Sequence, residues 1–144
     1  MKITAKRFDK ELPLPLYEEG AAGFDFTCRF DVTIKPKAIG VVHLNIGMKV
    51  PKGYFLMIVP RSSTAHRKGL VMPHSIGVVD PYYSGPENEV VTLLYNFTNK
   101  AVKVKRGDQI VQGMLIKHQF VSFDESKKLK TTKRKMWKKP KVLK

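Results

Sequence analysis

Two aspartates and an arginine–serine cluster are the residues of this chain best suited to chemistry on phosphates. Arg61-Ser62-Ser63 begins a stretch with helical character, where a guanidinium, two hydroxyls and backbone N–H groups can donate to phosphate oxygens. Asp25 and Asp80 each follow an apolar run, and a carboxylate in such a place can hold a metal-associated water or orient a nucleophilic one. The combination predicts metal-assisted hydrolysis, although each residue alone is more often a strand end, a turn cap or half of a surface ion pair.

Other catalytic classes have little support in the sequence. The four His residues show neither HxH nor HExxH spacing, and the single cysteine, Cys28, has no second cysteine for a zinc site or a disulfide. The sequence has no G-x-S-x-G elbow and no glycine-rich P-loop. Zinc chemistry, an elbow serine nucleophile and P-loop phosphate binding are therefore not predicted.

Short β-branched and aromatic runs, separated by Gly, Pro and Asn, must position these residues. Their close spacing is typical of an all-β sandwich or barrel. The one helical candidate, 62–68, begins with Ser-Ser, which can cap a helix, and ends at Gly69, which suits a left-handed C-terminal position. The predicted strands cover 2–7, 23–27, 31–34, 40–46, 54–59, 75–79, 90–96, 101–104 and 109–117.

The positive charge of the chain is concentrated at its C-terminal end. Of the 27 Lys and Arg residues behind the net charge of +15, ten lie in 127–144, which has no Asp or Glu. The other 17 basic and 12 acidic residues give 1–126 a net charge of only +5. The composition predicts one folded domain over 1–126 and a basic, flexible arm over 127–144, whose lysines suit weak contact with nucleic acid.

The sequence predicts neither export nor a membrane. The N-terminus MKITAKRF lacks the apolar region of a signal peptide, and apolar stretches such as 54–59 are far shorter than the ~20 residues that cross a bilayer. The lone cysteine suits a reducing compartment. We expect a soluble, cytoplasmic protein.

Four segments, taken in order, resemble the first four of the five motifs of the trimeric dUTPase family. They are Ala22-Gly23-Phe24-Asp25-Phe26, Pro60-Arg61-Ser62-Ser63, Gly77-Val78-Val79-Asp80 with Tyr83 and Gly85, and the run from Arg106 to Gln112. The run LPLPLYEEGAAGFDF is also similar to that family, so the resemblance covers about residues 10–118. It implies an all-β, dUTPase-like β-barrel or jelly roll (β-clip) with one short helix, assembled as a homotrimer with active sites at subunit interfaces.

The resemblance also implies an activity and a set of phosphate contacts. The expected reaction is hydrolysis of dUTP to dUMP and pyrophosphate with Mg²⁺, which lowers dUTP and supplies dUMP for thymidylate synthesis. Asp25 would hold the Mg²⁺ of the substrate complex through water. The phosphates would be contacted by Arg61, Ser62, Ser63 and Gln112.

At the nucleoside end, the resemblance assigns a carboxylate and a phenol. Asp80 matches the family's residue that binds the sugar 3′-OH and positions the attacking water. Tyr83 matches the ring that packs on deoxyribose and excludes a 2′-OH. Uracil would lie in a hairpin over 73–80, read largely by backbone groups, with Gly77 and Val79 among the contacts.

The chain departs from the family pattern in three places. The glycine-rich fifth motif has no clear counterpart, and Arg134 and Trp137 lie about where it should be; we expect the arm to close over the nucleotide, with Trp137 on the base and Arg134 at the phosphates. His74 stands where the family usually has an Asn that contacts uracil, which changes the donor and acceptor pattern offered to the base. Residues 86–89 form a short insertion after Gly85.

Two other functions stay open from the sequence. A dCTP deaminase shares the Arg-Ser-Ser and Asp-Pro-x-aromatic-x-Gly patterns, but its next strand carries a catalytic Glu, which 91–96 lacks. A non-catalytic dUTPase-fold regulator or nucleic-acid binder would use the Lys-rich arm to contact polyanions. Such a binder has no need of a water-positioning carboxylate at Asp80.

Overall fold

Eleven strands and one helical turn form the regular structure of residues 1–128 and 130, the part of the chain that the computed structural model describes. In chain order the strands are β1 (Ala5–Arg7), β2 (Phe24–Phe26), β3 (Val32–Ile34), β4 (Ile39–His43), β5 (Ile46–Met48), β6 (Tyr54–Pro60), β7 (Leu70–Val71), β8 (Gly77–Val79), β9 (Val91–Asn96), β10 (Val102–Val104) and β11 (Val111–Lys117). The turn is π-helical over Thr64–Lys68. The prediction of an all-β fold with one short helix is confirmed.

The two largest sheets of the described residues are antiparallel, and the four-stranded one carries four of the predicted site residues, Asp25, Gly77, Val79 and Gln112. One has four strands in the order β2-β11-β6-β8, and the other has three in the order β4-β9-β7. The pairs β1-β5 and β3-β10 complete the sheets of the described residues. These sheets are open rather than closed into a barrel, so the fold takes the jelly-roll form of the prediction.

The hydrophobic core takes residues from strands of every sheet. Its packing leaves no room for a side chain where β11 passes Phe26 of β2. Phe26 on β2 and Leu56 on β6 are fully buried, and a side chain of this size contributes about 1.5–3 kcal/mol when it leaves water. Between them runs Gly113 of β11, where a Cβ atom would lie 2.6 Å from the Phe26 ring and 3.0 Å from Leu56. Glycine is therefore required for β11 to pass over the packed ring.

The single strand predicted over 40–46 is wrong, because the chain turns sharply inside it. β4 ends at His43 and β5 begins at Ile46. Between them, Asn45 has a φ of 60°, a left-handed conformation that Asn tolerates better than most residues. Its side chain accepts from the Asp9 N–H at 2.7 Å and donates to the Asp9 carbonyl at 3.0 Å, so a long-range contact holds the turn.

The hairpin predicted over 73–80 is also wrong. On one side of this loop, β7 pairs with β9, and on the other side β8 pairs with β6; no ladder among the described residues joins β7 to β8. The loop therefore crosses from the three-stranded sheet to the four-stranded one. β7 itself was missed because two residues are too few to show an alternating pattern, although Leu70 is fully buried.

The helical turn begins and ends where it was predicted, but it is held differently. Helical structure runs from Ser62 to Lys68, and Gly69 follows with a φ of 65°. The predicted serine cap is not made: Ser63, at the cap position of this described turn, forms no side-chain capping hydrogen bond. Instead, buried Thr64 donates through Oγ1 to the Ile110 carbonyl at 2.5 Å, which ties the turn to the start of β11.

The boundary between the domain and the basic arm stays a prediction. Residues 129 and 131–144 lie outside the described part of the chain, and with them the predicted contacts of Arg134 and Trp137. Within the described residues, no helix is both long enough and apolar enough to cross a membrane.

Candidate active site

Asp25, Arg61, Ser62 and Gln112 line one cleft. The cleft, which we call the polar cleft, has a volume of about 300 Å³. Its other walls are supplied by the loop before β2. The lining residues are Leu16, Glu18, Ala21, Gly23, Asp25, Arg61, Ser62 and Gln112.

Strand register explains why residues so distant in sequence meet there. Asp25 on β2 lies directly opposite Gln112 on β11, and opposed residues point to the same face of a sheet. On its other side, Gln112 pairs with Val59 of β6, two residues before Arg61. The close contact of β2 with β11 depends on Gly23, where a Cβ atom would lie 2.7 Å from the Gly113 carbonyl oxygen.

Arg61 is held in the polar cleft by a backbone bond and by its guanidinium. Its N–H donates to the Ile110 carbonyl at 3.1 Å, and Nη1 donates to the Gln109 carbonyl at 3.2 Å. Nε lies 3.3 Å from Asp25 Oδ1, and both side chains are partly exposed. An ion pair this accessible contributes about 0–1 kcal/mol, so either partner can turn to a ligand at small energetic cost.

Ser63 is not among the residues that line the polar cleft, although Ser62 is. Helical turning begins at this pair, and the Thr64 N–H donates back to the Arg61 carbonyl at 2.9 Å. One serine therefore borders the cleft directly, while its neighbour lies one residue further into the turn.

A second cleft of about 300 Å³ contains Asp80, Val79 and Tyr83. We call it the nucleoside cleft; its walls are mostly apolar, and its lining residues are Val78, Val79, Asp80, Tyr83, Val90 and Val91. Asp80 follows β8 at a tight turn, where Oδ1 accepts from the Tyr82 N–H at 2.9 Å. The Tyr83 hydroxyl donates to the Glu89 carbonyl at 2.9 Å.

The two clefts lie on different parts of one chain. β2 and β8 form opposite edges of the four-stranded sheet, so three inter-strand spacings, about 14 Å, separate them across the sheet. They are also offset along the strands, because Val79 is level with Leu115 of β11, three residues beyond Gln112. A single chain therefore does not bring Asp25 and Asp80 into one pocket.

Comparison with known proteins identifies the family. A family model described as dUTPase matches residues 10–138. The deoxyuridine 5′-triphosphate nucleotidohydrolase of Dictyoglomus turgidum is 33% identical over 139 residues, which cover 93% of this chain and 92% of that protein. This chain belongs to the dUTPase family.

Solved dUTPase structures have the same fold. The dUTPase of Streptococcus mutans superposes with a TM-score of 0.74 at 28% identity, covering 83% of this chain and 98% of that one. A dUTPase from phage phi11 of S. aureus, in which a structural Mg(II) ion is coordinated, superposes with a TM-score of 0.78 at 14% identity, covering 89% and 98%. At that lower identity the likeness shows the fold alone.

Besides Ser63, two described residues predicted from the dUTPase resemblance lie outside both clefts. His74 is exposed in the loop before β8, where the Ile76 N–H donates to its carbonyl at 2.7 Å. Gly77 pairs with Ile58, and a Cβ atom there would lie 3.1 Å from the Ile58 Cβ. Gly77 thus allows β8 to pack closely on β6.

The donor set of the polar cleft fits a dUTPase that receives Mg²⁺ with its substrate. No group of three or more His, Cys, Asp and Glu residues in the described part of the chain could hold a metal ion alone. Mg²⁺ is commonly bound by one or two carboxylates together with water and substrate phosphates. Asp25 offers one such carboxylate beside Arg61 and Ser62, whose side chains can bind phosphate. Glu18 lines the same cleft.

Glu18 is a cleft residue to which the sequence assigned no role, although it lies in the run LPLPLYEEGAAGFDF. It belongs to the segment between the N-terminal strand and β2, which Arg106 helps to hold down. Arg106 Nη2 lies 2.7 Å from Asp9 Oδ2 and 2.8 Å from Glu11 Oε2. The hydrogen bond from Arg106 is the main cause that lowers the pKa of Asp9 below its usual value. Arg106, although part of the fourth motif, therefore holds the start of the segment whose later residues line the polar cleft.

Proposed function

We propose that this chain hydrolyses dUTP to dUMP and pyrophosphate with Mg²⁺, in a homotrimer whose active sites each join the polar cleft of one copy to the nucleoside cleft of a neighbour. The proposal rests on the different chemistry of the residues that line the two clefts. One has a guanidinium, a hydroxyl, an amide and carboxylates, which suit a triphosphate and its cation. The other has apolar walls, a carboxylate and a phenol, which suit a deoxynucleoside.

An exposed apolar sheet face supports the assembly. Val41 of β4 lies opposite Leu93 of β9, and outward-pointing Ile39 and Val91 extend the same face; all four side chains are at least a third exposed. Contiguous apolar surface of this kind marks a protein contact. Val91 also lines the nucleoside cleft, so a neighbour covering this face would stand beside that cleft.

In the polar cleft, side-chain donors would bind and orient the phosphates. Arg61, Ser62 and Gln112 can donate to phosphate oxygens and stabilise the charge that develops on the departing pyrophosphate. Asp25 would hold Mg²⁺ through water, and the bound cation would neutralise charge on the phosphate oxygens. Loss of such a preorganised donor lowers kcat by about 10²–10³-fold.

In the nucleoside cleft, Asp80 would bind the sugar 3′-OH and orient the attacking water. The Tyr82 N–H fixes one oxygen of this carboxylate, and the second oxygen would accept a hydrogen bond from the water that attacks the α-phosphorus in line. The ring of Tyr83 would pack on the sugar where a ribonucleotide carries its 2′-OH. The reaction would lower dUTP and supply dUMP for thymidylate synthesis.

Substrate profiling tests the reaction itself. Pyrophosphate and ammonia release are measured with Mg²⁺ on dUTP, dCTP, dTTP and UTP. We expect pyrophosphate from dUTP only, and no ammonia from any substrate. Ammonia from dCTP would indicate a deaminase, and no turnover of any nucleotide would refute the proposal.

Mixed assemblies test whether the site is shared between copies. Asp25→Asn and Asp80→Asn chains, each inactive alone, are co-expressed with different affinity tags. If each site takes Asp25 from one copy and Asp80 from the next, random mixing in a ring leaves about a quarter of the sites intact. If both residues act within one copy, no mixture recovers activity and the shared site is refuted.

A further inference from the structure

Glu89 is a buried carboxylate that none of the family motifs includes. Only 7% of it is exposed, and its charge is met from three directions. Oε1 accepts from the Asn45 N–H at 2.9 Å. Oε2 accepts from Arg29 Nη1 at 2.8 Å and lies 2.9 Å from His43 Nδ1.

The backbone of Glu89 holds the one phenol of the nucleoside cleft. Its carbonyl accepts from the Tyr83 hydroxyl at 2.9 Å. The next residue, Val90, lines that cleft and donates its N–H to the Ile46 carbonyl at 2.7 Å. Glu89 is thus fixed on both sides: its carboxylate is held to β4 and the turn after it, and the following peptide is held to β5.

We infer that Glu89 is a positioning residue for Tyr83: its carboxylate, locked by Arg29, His43 and Asn45, fixes the carbonyl that holds the Tyr83 ring in place. The inference rests on the proposed function, because the ring would stand where a ribonucleotide carries its 2′-OH. Steric rejection of one oxygen atom requires the rejecting group to be held within about 0.5 Å. The Tyr83 side chain is 41% exposed, so packing alone leaves its ring room to move away.

Burying the Glu89 carboxylate costs free energy. A carboxylate taken out of water needs good partners to be tolerated, and an apolar residue of similar size is often at least as stable. A residue placed only to stabilise the fold would therefore have no need of the charge. The charge is explained by the three donors it aligns, which define where the backbone of residue 89 lies.

Selectivity between dUTP and UTP tests the inference. Glu89→Gln removes the charge that Arg29 pairs with, and Tyr83→Phe removes the tethered hydroxyl while keeping the ring. We expect each to lower the ratio of kcat/KM for dUTP to that for UTP by roughly tenfold, chiefly by raising turnover of UTP. The double variant should lower it no further, because both changes break the same link.

A matched control separates positioning from general stability. Asp31→Asn removes another paired carboxylate, which lies 3.1 Å from Lys103 Nζ on the surface, and should leave the ratio unchanged. If Glu89→Gln reduced turnover of both nucleotides equally, so that the ratio stayed at the parent value, Glu89 would be only structural. Should Glu89→Gln fail to fold, Arg29→Gln removes the guanidinium that binds the same carboxylate. The same ratio of kcat/KM for dUTP to that for UTP is then measured, with the same expected fall.

A spectroscopic readout decides the inference independently of hydrolysis. With ring-¹³C tyrosine in the full chain, the Tyr83 signal is assigned by its loss in Tyr83→Phe. We expect Glu89→Gln to shift this signal toward that of a mobile, solvated ring, while the other four tyrosines keep theirs. An unchanged Tyr83 signal overturns the inference even if dUTP is hydrolysed, and a shifted signal supports it even if dUTP is not.

Discussion

Replacing Thr64 by Val should loosen the helical turn that begins at Ser62, directly after Arg61. Thr64 is 2% exposed, and its Oγ1 donates to the Ile110 carbonyl at 2.5 Å. Val has nearly the same shape but no hydroxyl, so the change removes this bond and little packing. The bond joins the turn to the residue that precedes β11, on which Gln112 lies.

The loss of stability depends on whether the Ile110 carbonyl keeps a hydrogen-bond donor after the substitution. The Ile110 carbonyl also accepts from the Arg61 N–H at 3.1 Å, so Thr64→Val does not leave it without a partner. The loss should therefore be that of one ordinary hydrogen bond, about 1 kcal/mol, rather than the larger penalty of a stranded polar group. For a chain of this length, that corresponds to a fall in Tm of about 3–5 °C.

The same figure limits the effect on activity. A bond of about 1 kcal/mol can lower kcat/KM for dUTP by no more than roughly fivefold, if all of it is expressed as misplacement of the phosphate donors. Thermal unfolding and steady-state kinetics are compared with Thr33→Val, which makes the same change at an exposed position of β3. Protein concentration is kept equal, because an oligomer's Tm depends on it.

Two results would refute this reasoning. A Tm equal to that of the parent, or a fall no larger than that of Thr33→Val, would mean that the Thr64 bond does not hold the turn. A loss of kcat/KM far beyond tenfold with the expected Tm would mean that the hydroxyl of Thr64 acts on the nucleotide itself.

Three further changes probe the core, the thiol and the arm. Gly113→Ala should lower the free energy of unfolding by about 1–3 kcal/mol in urea titrations, because the new methyl would lie 2.6 Å from the ring of Phe26. Cys28 should resist thiol reagents at pH 8 until the protein is unfolded, because burial raises its pKa to about 12. The unfolded thiol ionises near pH 9. The contribution of this group to the free energy of unfolding should therefore be complete below pH 9 and be lost as pH rises toward 12. Truncation before Lys127 should abolish most dUTP turnover if the arm closes over the nucleotide, and unchanged activity would contradict that role.

The sequence identified candidate site residues through the order and spacing of four motif segments. Taken alone, Arg61 and Ser62 fit a surface ion pair and a turn cap, and Asp80 fits a strand end. The order of the four motif segments and their resemblance to the dUTPase family singled these residues out, together with Tyr83. The C-terminus of the helical turn was also readable, since Gly69 takes the left-handed conformation that its type favours.

What the sequence could not reveal depends on contacts between distant segments. Nothing local indicates that Asp25 lies opposite Gln112, because register is fixed by packing along whole strands. Asn45 breaks a predicted strand through bonds to Asp9, 36 residues away. Glu89 lies in an insertion with no pattern of its own, and its importance appears only when its three partners are in place.

The weak pair of Arg61 and Asp25 supports a view of the polar cleft as a site that exchanges partners. Their atoms lie 3.3 Å apart and both side chains are open to water, so separating them costs at most about 1 kcal/mol. A hydrogen bond between a charged group and a phosphate contributes about 1.5–3 kcal/mol. A triphosphate arriving with its cation would offer Arg61 an anion and Asp25 a cation at once, so both would gain more than they lose. A tighter or more buried pair would resist the exchange. The exposure of the Arg61–Asp25 pair therefore favours a role in binding over a structural one.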